Sequence, residues 1–129
     1  MKLQKSLLFI PAALALVWGV FSLFTPGLIF KFLKTPAEMI NPGLTATQSL
    51  LGVGQISLGI IALWMRSISD KKMMTGAMTL IAVIFLMFGL HGVLHDFIIE
   101  GGTRNMIVFV QGIVMILLAV LFFVKRKAD

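Results

Sequence analysis

Two histidines four residues apart, His91 and His95, followed at once by Asp96, lie in GLHGVLHDFIIEGG, residues 89–102. Imidazole titrates near neutral pH and is the commonest metal ligand, so these residue types are able to do chemistry. On a helix, the four-residue spacing sets both imidazoles on one face. Asp96 is turned about 100° from His95 and points elsewhere. An HxxxH pair supplies two metal ligands. The zinc-protease pattern HExxH needs a glutamate after the first histidine, where this chain has Gly92. A third ligand would have to be Asp96, Glu100 or Glu38, reached through a bend. A metal centre on His91, His95 and Asp96 is therefore the weaker reading. Haem is weaker still, because histidines on one turn cannot serve opposite faces of one iron. The chain has no cysteine, which removes thiolate metal sites, disulfides and cysteine nucleophiles.

The other costly polar side chains are amides in apolar surroundings: Gln48, Gln55 and Gln111. Gln48, Gly52, Gln55, Gly59 and Ala62 recur at helical spacing and form a stripe of amides and small residues. Small residues let helices approach closely and amides bond across helices, so the stripe is expected to face other helices. Gly89 and Gly92 flank His91 and would admit a close helix there. The bland reading of all these groups is interhelical or interfacial hydrogen bonding. The sharper reading is a pocket with His91 and His95 on its wall and Gln55, Gln111 and Gln48 around it.

The elements that must position these residues are apolar and long. The chain has 129 residues, 59% hydrophobic and only 12% charged, with a mean hydropathy of +1.04. A soluble chain of this size could not hide so much apolar surface. Four segments, 7–24, 47–65, 73–99 and 105–124, are each long enough to cross a hydrocarbon core of about 30 Å. Inside lipid the backbone must satisfy itself, so they are read as helices. The expected fold is all-α, a transmembrane four-helix bundle in one integral membrane domain. The first segment has a basic start, but its apolar run exceeds the ~7–15 residues of a signal peptide, so it is read as a retained span.

Basic residues set the expected orientation. The N-terminus, the loop RSISDKK and the C-terminus carry Lys2, Lys5, Arg66, Lys71, Lys72, Lys125, Arg126 and Lys127; the other side carries Lys31, Lys34 and Arg104. The positive-inside rule then makes both termini cytoplasmic. The net charge of +6 thus serves anchoring, and no basic patch interleaved with aromatics points to nucleic acid. In that orientation the histidines and glutamines all fall in the outer half of the bilayer. Gln55 lies about 12 Å beyond Thr47, and Gln111 about 9 Å beyond Asn105. The outer connection, residues 25–46, is interrupted by Pro26, Pro36 and Pro42. Its LIFKFLK suits a short interfacial helix; the alternative is that the first span tilts on past Pro26.

LFTPG at residues 23–27, the proline-interrupted segment after it, and the glycine-rich LLGVGQISLGIIAL of the second span form one layout. That layout resembles the small bacterial four-span proteins of the DoxX-like kind. The resemblance implies a four-helix bundle and association with a redox or quinone-linked partner. It carries over no catalytic residue, because none can be matched.

The expected function is binding of an apolar or amphipathic ligand, of quinone or lipid class, or of a membrane partner, through an outward-facing polar pocket. One alternative is an accessory or assembly subunit of a membrane redox complex without a ligand of its own. The other is a small oligomeric transporter or channel, formed as a homo-oligomer. No serine–histidine or cysteine–histidine nucleophile is identifiable, so the reading leans away from an enzyme, and no cofactor is identifiable.

Overall fold

A computed structural model of the chain describes residues 1–98 and 105–128, with the side chains of 96–98 outside the description. Among the described residues every regular element is helical. Helix α1 is Lys2–Leu7, α2 Phe9–Phe24, α3 Pro26–Phe32, α4 Pro42–Met65, α5 Lys71–Ile98 and α6 Met106–Lys125, with a single 3-10 turn at Ala37–Met39. Four stretches are long and apolar enough to cross a membrane: Lys2–Phe24, Pro42–Met65, Lys71–His95 and Met106–Lys125. The shortest has 20 residues, which at about 1.5 Å each matches the hydrocarbon thickness.

Prolines and capping side chains decide where the helices start and stop. Pro11 has no N–H for the carbonyl of Leu7 and its ring crowds that carbonyl. The first span is accordingly interrupted at Leu8, between α1 and α2. Pro26 disfavours the helical conformation at the residue before it. Thr25 leaves the helix at φ −136°, ψ 59°, and its hydroxyl and N–H both donate to the Phe21 carbonyl at 2.9 Å. A separate short helix then follows, as LIFKFLK had suggested, rather than a longer first span. Thr35 N–H bonds to Phe30 O and Lys34 N–H to Lys31 O, while Lys34 takes φ 54°. This is a Schellman closure with lysine where glycine is usual. Helix α4 begins at Pro42 rather than at Thr47, because Asn41 caps it by accepting from Leu44 N–H at 2.9 Å and Pro42 is preset for the first helical position. Asp70 caps α5 through Met73 N–H at 2.7 Å, and Asn105 caps α6 through Ile107 and Val108 N–H.

The chain divides into two compact units, one of Ser6–Ser67 and one of Met1–Lys5 with Ile68–Asp129. In the first, α2 and α4 run antiparallel. Gly19 lies against Gly52 and Ile56, and Gly59 lies against Leu16. At one end of this pair the Arg66 guanidinium sits 3.4 Å from the Phe9 ring centroid. Helix α3 turns its buried Ile29 and Phe30 inward, and its Phe32 meets Trp18 edge to face, centroids 5.7 Å apart.

In the second unit, α5 and α6 run antiparallel. Gly89 and Gly92 meet Gly112 at one end, Phe85 meets Phe122 edge to face at 5.5 Å, and Thr75 donates to the Arg126 carbonyl at the other end. Met74, Met78 and Phe122 are fully buried. Gln4 of α1 donates its Nε2 to the Ala128 carbonyl, which holds the N-terminal turn on the end of α6.

Large apolar side chains on all four spans remain more than half exposed, among them Val17, Leu50, Met87 and Leu117. So many exposed large apolar side chains on span-length helices are untenable in water and are what a bilayer solvates. The chain is an integral multi-pass membrane protein.

Candidate functional site

The polar residues singled out in the sequence fall into two sets, one on each helix pair. On α2 and α4, the stripe residues Gln48, Gly52 and Gly59 meet α2. A β-carbon on Gly52 would stand 2.5 Å from the Leu23 nitrogen and 2.7 Å from the Gly19 oxygen, so the backbones touch. Gln48 spends its amide within this pair, with Nε2 donating to the Ser22 hydroxyl at 3.0 Å. Ser22 is fully buried. Next to it, the Ser49 hydroxyl donates to the Leu23 carbonyl at 3.0 Å. Gln48 is therefore part of the interhelical bonding that amides favour in lipid.

Gln55 differs. Its side chain is half-buried, yet its Oε1 is wholly buried and accepts no hydrogen bond among the described residues. A buried acceptor left unmatched costs roughly 1–3 kcal/mol, so native proteins tolerate few.

On α5 and α6, His91 and His95 share a face, as their spacing dictates. Their rings pack edge to face with centroids 5.6 Å apart. The two are not equivalent. His91 is exposed, on a stretch where Met87, Phe88, Leu90 and Leu94 are exposed too. His95 is half-buried, and its Nδ1 is wholly buried without a hydrogen-bond partner among the described residues. The close helix that Gly89 and Gly92 were expected to admit is α6. A β-carbon on Gly92 would stand 2.8 Å from Gly112 Cα, and one on Gly89 would stand 2.8 Å from the Gly112 oxygen. Gln111, next to Gly112, is half-buried. It therefore sits level with His91, the neighbour of Gly92, along the helix pair.

Among the described residues no group of three histidine, aspartate or glutamate side chains is assembled that could hold a metal. The side chain of Asp96 and the whole of Glu100 lie outside the described residues. Glu38 is exposed in the 3-10 turn.

Ser22, Ser49 and Gln4 were not singled out in the sequence, although the structure bonds each of them, Gln4 through its Nε2 alone, its buried Oε1 having no partner among the described residues. A signal for Ser22 exists: with Ala12 and Gly19 it forms a buried small-residue stripe on α2, the counterpart of the stripe on α4. Gln4 lies in a basic, polar N-terminal turn and has no such periodicity.

The arrangement offers hydrogen-bonding heads inside apolar spans. Comparison with models of known protein families, with curated proteins and with solved structures finds no match to this chain.

Proposed function

We propose that this chain is a multi-pass protein of the bacterial inner membrane, with both termini cytoplasmic, that binds an amphipathic ligand of quinone or lipid class. Each helix pair by itself offers a polar head a group in the outer half of its spans. The observation that carries this reading is that, among the described residues, Gln55 Oε1 on α4 and His95 Nδ1 on α5 are wholly buried without a partner, as is Gln4 Oε1 at the other end of the second unit. Ionisable and polar groups at membrane depth are expensive and are retained where they bind something. An amide oxygen only accepts, so Gln55 calls for a hydroxyl, as on a quinol or a glycerol backbone. An imidazole nitrogen donates or accepts according to tautomer, so His95 suits either a carbonyl or a hydroxyl. His91, exposed among Met87, Leu90 and Leu94, is reached laterally from the bilayer, the route open to a lipid-soluble molecule. Gln111 assists at the same level. The DoxX-like layout favours the quinone class within that choice.

A second reading, an accessory subunit held by a membrane partner, is favoured by Gly54. It lies on the face of α4 away from α2, has no atom within 4 Å of its β-carbon position, and has the exposed Leu50 and Ile61 on the same helix. Small residues on a lipid-facing surface permit a close helix.

Native mass spectrometry of the protein released from its own membranes in mild detergent tests both readings. A co-released mass of a few hundred daltons, present in the parent chain and lost in the His91→Ala, Gln55→Ala variant, is the expected result. A protein partner retained by both chains favours the accessory subunit. A bare chain in both cases refutes tight ligand binding.

A further inference from the structure

The end of the α5–α6 pair opposite the histidines carries a concentration of positive charge that ligand binding at the histidines does not use. Lys71 and Lys72 open α5, Lys125 closes α6 with Lys127 in the turn after it, and the Gln4–Ala128 bond brings Lys2 and Lys5 of α1 to the same end. These cations come from three separate stretches of chain. Lys71, Lys72, Thr75 and Lys127 line an open depression of about 580 Å³. The Thr75 hydroxyl reaches both the Lys71 carbonyl at 3.0 Å and the Arg126 carbonyl at 3.2 Å. It thereby fixes the start of α5 against the end of α6, with lysines from each on the rim.

Arg126 is excluded from the group. Its guanidinium lies 3.5 Å over the Phe123 ring and donates to the Phe123 carbonyl, so it is turned back along its own helix. Asp70, the residue before Lys71, accepts the Met73 N–H at 2.7 Å as the cap of α5 and adds one negative charge at this end.

Orientation in a membrane asks only for cations in the flanking loops. It does not ask for lysines from two helices around one depression. A bound anion accounts for that gathering.

We propose that this depression binds the phosphate headgroup of an anionic phospholipid, with Lys72 and Lys127 as its principal charges and Lys71 beside them. A lipid is favoured over free phosphate because exposed apolar side chains stand at this end of both helices: Met73 beside Lys72 at 59% and Val124 beside Lys125 at 63%. A headgroup on the lysines leaves its acyl chains along such surface. The site is separate from the histidine end, and it stands or falls independently of the ligand proposed there.

The test titrates the whole purified chain, in detergent, with phosphatidylglycerol and with phosphatidylcholine, and reads adduct retention by native mass spectrometry. Phosphatidylglycerol is expected to be retained on the order of tenfold better, as two surface lysines near a phosphate imply. The preference disappears in K72Q/K127Q, survives in the charge-conserving K72R/K127R, and survives in K31Q/K34Q, which removes two cations from the other unit. Equal retention of the two lipids overturns the proposal. So does a loss in K31Q/K34Q as large as in K72Q/K127Q. Displacement of phosphatidylglycerol by millimolar inorganic phosphate assigns the depression to the free anion and overturns the lipid.

Discussion

Gln48 and Gln55 lie on one face of α4, two turns apart, and carry the same amide in opposite circumstances. Gln48 has found Ser22 across the helix contact, while Gln55 keeps a buried oxygen with no partner among the described residues. Sequence spacing put both on the α2-facing stripe but did not distinguish them, because a partner on another helix is invisible to periodicity. His91 and His95 part in the same way, one ring exposed and the other half-buried with an unmatched nitrogen. The Ser22–Gln48 bond makes a prediction at this scale. Ser22→Ala is expected to lower stability by about 1 kcal/mol, since a buried amide loses its acceptor. A double-mutant cycle with Gln48→Leu is expected to return a coupling of roughly 0.5–1 kcal/mol. The cycle is measured by reversible unfolding in micelles, and zero coupling would show that the bond contributes nothing.

Between elements, contact is made through glycines. Their stripe was legible in the sequence of α4, and so was the need for a close helix at Gly89 and Gly92. The partners, Gly19 on α2 and Gly112 on α6, required the paired structure. Pro11 was the missed punctuation: within an apolar run its missing N–H is easily overlooked, yet it interrupts the first span at Leu8. Two glycines of α4 make opposite predictions. Gly52→Ala drives a β-carbon into backbone 2.5 Å away and is expected to cost about 1–3 kcal/mol. Gly54→Ala meets nothing within 4 Å, and alanine is the better helix former by about 1 kcal/mol, so it is expected to be neutral or stabilising. Thermal unfolding of the two variants in the same detergent decides this. A Gly52→Ala protein as stable as the parent would mean that α2 and α4 do not approach through this stripe.

For the whole molecule, the apolar exterior and four span-length helices make the bilayer the solvent, and the basic flanks set the proposed orientation. Because the chain has no cysteine, single cysteines report orientation without background. Ser69→Cys and Ala128→Cys are expected to be shielded from an impermeant thiol reagent added outside intact cells. Glu38→Cys, in the exposed 3-10 turn, is expected to be labelled. The reverse pattern would invert the orientation and move the histidines to the cytoplasmic half. Labelling of all three at equal yield would indicate insertion in both directions.

The sequence by itself determined the class of molecule, the number of spans and the faces that helices turn to one another. These follow from composition and from a 3.6-residue period, both local properties of a chain whose backbone must satisfy itself in lipid. Only the tertiary structure decided which helix meets which stripe, that α2 pairs with α4 and α5 with α6, and which of the polar groups are already satisfied. It alone gathered lysines from three stretches of the chain at one end of a helix pair. Those outcomes depend on contacts between residues far apart in sequence, such as Ser22 with Gln48 and Thr75 with Arg126, where the bond exists only once two helices have docked.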